Sequence, residues 1–266
     1  MNFRTPVIFP EAPFRLQPHH RLLFVGSCFA SEIGQRFADN QFHTVVNPYG
    51  VMYNPASILH TLERYLPTAE APDVAILTLG TNHVYILKET GDIVDNCQKQ
   101  PASLFREEEL TVQQCQDYLQ QSFDLLRQKN PQMHIIITVS PIRYAKYGFH
   151  GSQLSKATLL LAAHLSTSTS PLSTYFPAYE IMNDELRDYR FYKADMIHPS
   201  DQAVEYIYER FAETYFAPET HRFVEEWKPV QQALAHKPFH PDSPEYQQFM
   251  KQTQERLAAF RAKYNL

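Results

Sequence analysis

Cysteine is scarce in this chain, and the number of cysteines is odd. Cys28, Cys97 and Cys115 are the only three, and no two of them form a C-x-x-C pair. Such a set supports neither a disulfide framework nor a zinc site. His236 and His240 have helical spacing, but a proline between them argues against a shared metal-binding helix face. We therefore expect a cytoplasmic protein without a metal or another cofactor.

Long apolar runs and clusters of basic residues are also missing. The longest apolar stretches, such as 159–163, are far shorter than the roughly 20 residues that cross a bilayer. Residues 1–16 contain prolines and polar residues where a secretory signal needs an unbroken apolar segment. The net charge is −5, without the basic stripe that binds phosphates. We expect no membrane span, no export and no nucleic-acid partner.

Glycine is scarce too, so the positions of the glycines are informative. The chain has seven, well below the average usage of about 7%. Gly26, Gly50 and Gly80 each follow an apolar run. In an open α/β sheet the carboxyl ends of the strands form the crevice that binds ligands. These glycines indicate where a substrate would approach the backbone.

Short apolar runs alternate with amphipathic stretches through residues 22–216, which predicts an α/β fold with parallel strands. The predicted strands span residues 22–26, 44–47, 74–79, 135–140 and 175–181, and the predicted helices span residues 28–38, 55–66, 111–129, 152–165 and 200–215. We expect one domain over residues 1–217. Residues 218–266 form a helical extension, whose amphipathic stretch 243–266 packs on the domain or, alternatively, forms a homodimer contact.

Three residues suit nucleophilic catalysis. Ser27 follows Gly26 at a predicted strand-to-helix junction, where the helix dipole favours a nearby anion, although serine is also a common helix cap. A serine needs a base, and the base needs a third group to fix its tautomer. Asp195 and His198 offer both just before the last predicted helix, although their spacing alone is a weak signal.

An oxyanion hole requires hydrogen-bond donors near the reacting carbonyl oxygen. The backbone N–H groups of Ser27 and Gly50 and the side-chain amide of Asn82 all lie just past predicted strands. Each is also an ordinary turn residue. Together they predict one site at the edge of the sheet.

Several motifs in the chain carry a family resemblance. They are Gly26-Ser27-Cys28-Phe29-Ala30, Asn47-Pro48-Tyr49-Gly50, Tyr53-Asn54-Pro55, Thr78-Leu79-Gly80-Thr81, Asn96-Cys97, Val139-Ser140-Pro141-Ile142-Arg143, Gln153-Leu154-Ser155-Lys156-Ala157 and the segment 180–200. Over most of residues 20–215 the chain resembles the GSCFA domain family, which is similar to the SGNH/GDSL serine hydrolases.

The resemblance implies a flavodoxin-like, three-layer α/β/α fold with strand order 2-1-3-4-5. It implies Ser27 as nucleophile, Asp195 and His198 as its partners, and Gly50 and Asn82 as oxyanion donors. The chain departs from the family pattern in carrying Tyr144 and Gln98 where relatives often have histidine, and Asn82 where a smaller residue is common. Asn96 is therefore a substitute for the Asn82 donor.

These observations together predict a serine esterase that removes an acyl group from a sugar or another small hydroxyl compound. Arg143, at the end of a predicted strand, is a candidate for binding an anionic or sugar substrate. Three alternatives remain: acyl transfer through the same residues, an inactive binding or scaffold protein of the same fold, and Cys28 as the nucleophile. The G-x-S-x-G elbow of α/β-hydrolases is absent, which argues against that fold.

Overall fold

A computed structural model describes residues 4–8, 10–95, 97 and 100–266. Its strands are β1 (Arg21–Gly26), β2 (His43–Val46), β3 (Val74–Leu79), β4 (His83–Leu87), β5 (Ile93–Val94), β6 (Phe105–Glu109), β7 (His134–Val139) and β8 (Ser173–Tyr175). Five of these form a parallel sheet in the order β2-β1-β3-β7-β8. When the parallel strands alone are counted along the chain, this is the pattern 2-1-3-4-5.

Helices cover both faces of the parallel sheet. They are α1 (Cys28–Asp39), α2 (Pro55–Tyr65), α3 (Val112–Lys129), α4 (Gly148–Ser168), the short α5 (Ala178–Glu180), α6 (Asp201–Tyr215), α7 (Pro218–Leu234) and α8 (Pro244–Tyr264). The five helices predicted before residue 217 are confirmed to within a few residues. None of the described helices is both long and apolar enough to cross a membrane.

The strands separate two hydrophobic cores because alternate side chains of a strand face opposite sides of the sheet. In β1, Leu22 and Phe24 belong to the core that also holds residues of α1 and α6. Leu23 and Val25 belong to the core that holds residues of α2, α3 and α4. The continuous apolar sequence of β1 and β3 thus reflects burial on both faces, as in other parallel sheets.

The prediction for the fifth strand is wrong in position. The sequence pattern suggested residues 175–181, but β8 ends at Tyr175. Pro177 has no N–H to donate to a sheet, and the chain turns into α5 and a π-helical turn at Ile181–Glu185. The apolar residues of this stretch fill the core from a helix instead of a strand.

A second sheet was not predicted. Strands β4, β5 and β6 form an antiparallel sheet in the order β5-β4-β6. Strand β5 has two residues, and β6 is exposed after its first residue, Phe105. Neither strand is long and apolar enough to be predicted as a buried strand.

The helices beyond residue 217 pack against each other through aromatic rings. The Phe260 ring lies 5.1 Å from that of Phe223 and 5.2 Å from that of Trp227, and all three side chains are buried. The Trp227 indole also donates a hydrogen bond to the carbonyl of Asp39, at 2.7 Å. This bond joins α7 to the end of α1. The division of the chain at residue 217 stays a prediction.

Candidate active site

Ser27 lies between the end of β1 and the start of α1, at the carboxyl edge of the parallel sheet. It occupies the N-cap position, but its side chain does not cap the helix. The Ser27 hydroxyl instead lies 3.1 Å from the Thr78 hydroxyl, and the side chain is fully buried. Gly26 permits this arrangement, because a Cβ at its φ of +146° would collide with the carbonyl of Thr78.

Asp195 and His198 form a hydrogen-bonded pair in the loop before α6. The Asp195 Oδ2 atom lies 2.7 Å from His198 Nδ1, and Oδ1 accepts the backbone N–H groups of Ile197 and His198. These backbone bonds, followed by the imidazole, lower the pKa of Asp195. Met196 has a φ of +57°, a left-handed conformation that closes the turn. The aspartate is thus placed to orient the imidazole, whose Nε2 is the nitrogen left to face a nucleophile.

The predicted bond between nucleophile and base is not formed. Among the residues that the structure describes, Ser27 and His198 share no hydrogen bond, and the serine hydroxyl contacts Thr78. Two consecutive residues connect the halves of the site. The backbone N–H of Arg143 donates to the carbonyl of Ile197 at 3.1 Å, while the Tyr144 hydroxyl lies against Gly80, beside Ser27. Ser27 and the loop that carries Asp195 and His198 therefore lie on either side of residues 143 and 144.

The predicted oxyanion donors already have acceptors. The Ser27 N–H donates to Thr78, and the Gly50 N–H donates to the Asn47 carbonyl at 2.8 Å. The Asn82 side-chain amide donates to the carbonyl of Leu110 at 2.8 Å. Their role in binding an oxyanion stays a prediction. It requires that the two backbone N–H groups give up these bonds, whereas Asn82 can use its second amide hydrogen. Asn96, the substitute donor, lies outside the described residues.

Tyr144 is a candidate that sequence reasoning did not place in the site. Its hydroxyl is buried and has no hydrogen-bond partner among the described residues. Burial raises the pKa of Tyr144, with smaller contributions from Tyr53 and Cys28. A Cβ added at Gly80 would collide with this hydroxyl and lie 3.4 Å from the Ser27 Cβ. The Tyr144 hydroxyl is thus a neutral hydrogen-bond donor next to the serine, and it has no acceptor among the described residues.

Lys156 lies fully buried beneath the same edge of the sheet. Its Nζ donates to the carbonyls of Gly80 and Ser140, both at 2.7 Å, and lies 5.1 Å from the centre of the Tyr144 ring. Burial lowers the pKa of Lys156 to about 7. The two carbonyls follow the ends of β3 and β7. The lysine therefore ties together the strand ends that carry the site.

Arg143 and Cys28, the other two candidates, lie close to the site. The Arg143 guanidinium donates to the carbonyl of Met196 at 2.9 Å and stacks over the Phe149 ring at 3.9 Å. It therefore contacts the loop that carries Asp195 and His198. The Cys28 thiol lies 3.7 Å from the Tyr53 hydroxyl. Burial, together with this contact, raises the pKa of Tyr53 to about 12.

Comparison with protein families gives two matches. The model of the GSCFA family matches residues 21–73 and 67–211, and the model of the GSCFA domain protein, C-terminal domain, matches residues 227–266. The first of these includes Ser27, Asp195 and His198. A comparison with curated proteins gives no match.

Solved structures with a similar chain path include esterases and lipolytic proteins. A family 3 carbohydrate esterase from Clostridium thermocellum is 13% identical, with a TM-score of 0.44, over 82% of this chain and 100% of that chain. A member of the lipolytic protein G-D-S-L family from Veillonella parvula is 13% identical, with a TM-score of 0.48, over 73% of this chain and 97% of that chain. Identities this low do not carry an activity from one protein to another.

Proposed function

The chain belongs to the GSCFA family, and we propose that it is a serine hydrolase that cleaves a small ester, with Ser27 as nucleophile and His198 as base. The acyl group is carried by a sugar or another small hydroxyl compound. The proposed location is the cytoplasm, which the few unpaired cysteines favour.

The observation that carries this proposal is the bond between Asp195 and His198. An aspartate that accepts the Nδ1 hydrogen of a histidine fixes the tautomer in which Nε2 accepts a proton, and it stabilises the imidazolium that forms. The two side chains are 44% and 34% exposed, so a substrate can reach them. A histidine that served only to pack the loop would need neither this partner nor this exposure.

In the proposed reaction the Ser27 hydroxyl exchanges its contact with Thr78 for one with His198. The serine oxygen attacks the ester carbonyl carbon while His198 Nε2 accepts the hydroxyl proton. The tetrahedral intermediate collapses, and the alcohol leaves with the proton from His198. Water then repeats the sequence on the acyl-enzyme and releases the acid. We propose that the donors for the oxyanion come from Ser27, Gly50, Asn82 and the Tyr144 hydroxyl.

Replacing the serine tests the proposal. We expect Ser27→Ala to lower kcat/KM for an aryl acetate by about 10⁴ or more, because a triad without its nucleophile retains only residual catalysis. A fluorophosphonate probe labels the wild type at Ser27 and fails to label the variant His198→Ala. Cys28→Ser is the matched control, since it changes the neighbouring nucleophile, and it retains the wild-type rate.

A binding protein without activity is the second candidate, and the buried Ser27 hydroxyl, bonded to Thr78, favours it. In that case the probe leaves Ser27 unlabelled, and Ser27→Ala hydrolyses the aryl acetate within tenfold of the wild-type rate. Loss of activity in Cys28→Ser, with Ser27→Ala unchanged, would instead assign the reaction to the thiol.

A further inference from the structure

A cavity of about 430 Å³ lies beside the loop that carries Asp195 and His198. Arg143 lines this cavity, and the same guanidinium donates to the Met196 carbonyl within the loop. Arg143 therefore links the cavity to the loop that carries the proposed base. Its volume lies within the range of about 300–1,000 Å³ that small-molecule sites occupy.

Arg143 is the cationic residue of this cavity that lacks a carboxylate partner in the described part of the chain. Arg187, also in the lining, pairs with Asp184 at 3.8 Å. Asp188 pairs with Arg190, also at 3.8 Å. The acidic side chains in the lining thus have their own cations nearby, and no carboxylate of the described residues pairs with the positive charge of Arg143.

Three aromatic rings lie close to the Arg143 guanidinium and restrict the orientation of its plane. Its Cζ lies 3.9 Å from the centre of the Phe149 ring, 5.3 Å from that of Tyr192 and 5.9 Å from that of Tyr189. Stacking fixes the plane of the group and leaves N–H donors at its edge. A planar fork of this kind suits two oxygens of a carboxylate or phosphate.

The same cavity exposes aromatic surface together with amide groups. The Tyr189 side chain is 67% exposed although it is large and partly apolar. Asn183 and Gln153 line the cavity beside it. An exposed ring next to hydrogen-bonding groups suits a ligand with one apolar face and a polar rim, which describes a sugar ring.

We propose that this cavity binds a sugar that carries a negative charge, with Arg143 on the anionic group and Tyr189 under the ring. The idea deepens the proposed function, on which it rests for the acyl group: the substrate is an acylated anionic sugar. Carboxylate and phosphate share the chemistry that Arg143 recognises, so an acidic sugar and a sugar phosphate are both candidates.

Calorimetric titration of the wild-type protein with unacylated sugars tests this proposal without requiring catalysis. The ligands are methyl glucuronide, glucose 6-phosphate and neutral methyl glucoside. We expect at least one anionic sugar to bind about tenfold or more tightly than the neutral one, and the tighter of the two identifies the anionic group. The preference weakens at high salt, because the site is open to solvent.

Substitutions assign the two contacts. Arg143→Gln abolishes the preference for the anionic sugar and leaves the weak binding of methyl glucoside unchanged, whereas Tyr189→Ala weakens all three sugars. Arg256→Gln removes an exposed charge on α8, away from the cavity, and Phe239→Ala removes an exposed ring elsewhere; both retain wild-type binding.

Three results would overturn the proposal: equal affinity for charged and neutral sugars, an anionic preference that survives in Arg143→Gln, or no binding of any of the three at tens of millimolar. Failure of the proposed function is a separate result, because it shows as an unlabelled Ser27 while the titrations still report on the cavity.

Discussion

The Tyr144 hydroxyl, next to Ser27, is buried and has no hydrogen-bond partner in the described part of the chain. A buried hydroxyl without a partner costs about 1–3 kcal/mol of folding stability. This cost is understandable if the hydroxyl forms its hydrogen bond only during the reaction, when the ester oxygen becomes an anion. The sequence showed only that this position departs from the family pattern.

Replacing this tyrosine separates stability from activity. We expect Tyr144→Phe to leave the free energy of unfolding unchanged or to raise it, because the lost hydroxyl makes no bond. If the hydroxyl stabilises the oxyanion, kcat for an aryl acetate falls by about 10² or more.

Tyr208→Phe is the matched control for Tyr144→Phe. The Tyr208 hydroxyl accepts a hydrogen bond from Asn40 at 3.1 Å, so its loss lowers stability by about 1 kcal/mol and leaves kcat unchanged. Urea denaturation and initial rates measure both variants. A wild-type kcat in Tyr144→Phe would remove this tyrosine from the reaction.

At the scale of elements, Lys156 on α4 joins the ends of β3 and β7. A neutral amine has two N–H donors, which matches the two carbonyls that Nζ contacts. A charged ammonium in the same place would be buried without a carboxylate in contact, an arrangement that is costly. Burial thus explains why the pKa of Lys156 is lowered to about 7.

The lowered pKa makes stability depend on pH in a definite direction. In the unfolded chain the lysine titrates near 10.5, and in the folded chain near 7. Between these values the unfolded state binds more protons, so the contribution of Lys156 to the free energy of unfolding rises with pH and is lost as the pH falls through about 7.

Comparison with a variant isolates this contribution. We expect the difference in unfolding free energy between wild type and Lys156→Met to shift in favour of the wild type as the pH rises from about 7 to about 10. Urea denaturation at several pH values measures it. Lys228→Met, which removes an exposed lysine, keeps the wild-type pH profile. A difference that does not change with pH would mean that Lys156 titrates normally.

The sequence predicts those elements whose pattern of apolar and polar side chains reflects which side chains are buried. Strands β1 and β3 are apolar throughout because both faces are buried, and the helices show their own periodicity. Strand β6 faces solvent, and its charged sequence is typical of a loop. The apolar residues of 176–181 suit a helix as well as a strand. Apolar content alone cannot separate those two cases.

At the scale of the whole molecule, a cluster of aromatic rings joins α8 to α7. The Phe260 ring contacts Phe223 and Trp227 and lies 4.9 Å from Tyr264. The stretch 243–266 was predicted as an amphipathic helix, and its buried side faces α7. The sequence could not choose between this neighbour and a second copy of the chain, because both would bury the same stripe.

Removing the Phe260 ring should loosen the packing of α8 on α7. We expect Phe260→Ala to lower the free energy of unfolding by about 3 kcal/mol, the usual cost of emptying a buried aromatic site. The fluorescence of Trp227, the only tryptophan, shifts toward that of a solvated indole. Phe239→Ala, at a side chain that is 99% exposed, changes stability by less than about 0.5 kcal/mol. Equal stability of both variants would contradict the packing of α8.

The sequence suggests members for the candidate site but does not predict most of their contacts. Ser27, Asp195 and His198 stand out from their positions after strands and before a helix, and the structure shows the Asp195–His198 bond. The contact of Ser27 with Thr78 depends on the torsion of one side chain, which no spacing rule describes. The donors at Gly50 and Asn82 bond to carbonyls whose positions depend on the folded loops.

Residues 143 and 144 are neighbours in the chain but serve different parts of the molecule. The first contacts the histidine loop and the cavity, and the second covers the serine. Because the two residues are adjacent, a change in the backbone that moves the guanidinium of the first also moves the ring of the second. Altering ligand preference by redesigning this stretch would therefore also alter reactivity at the serine.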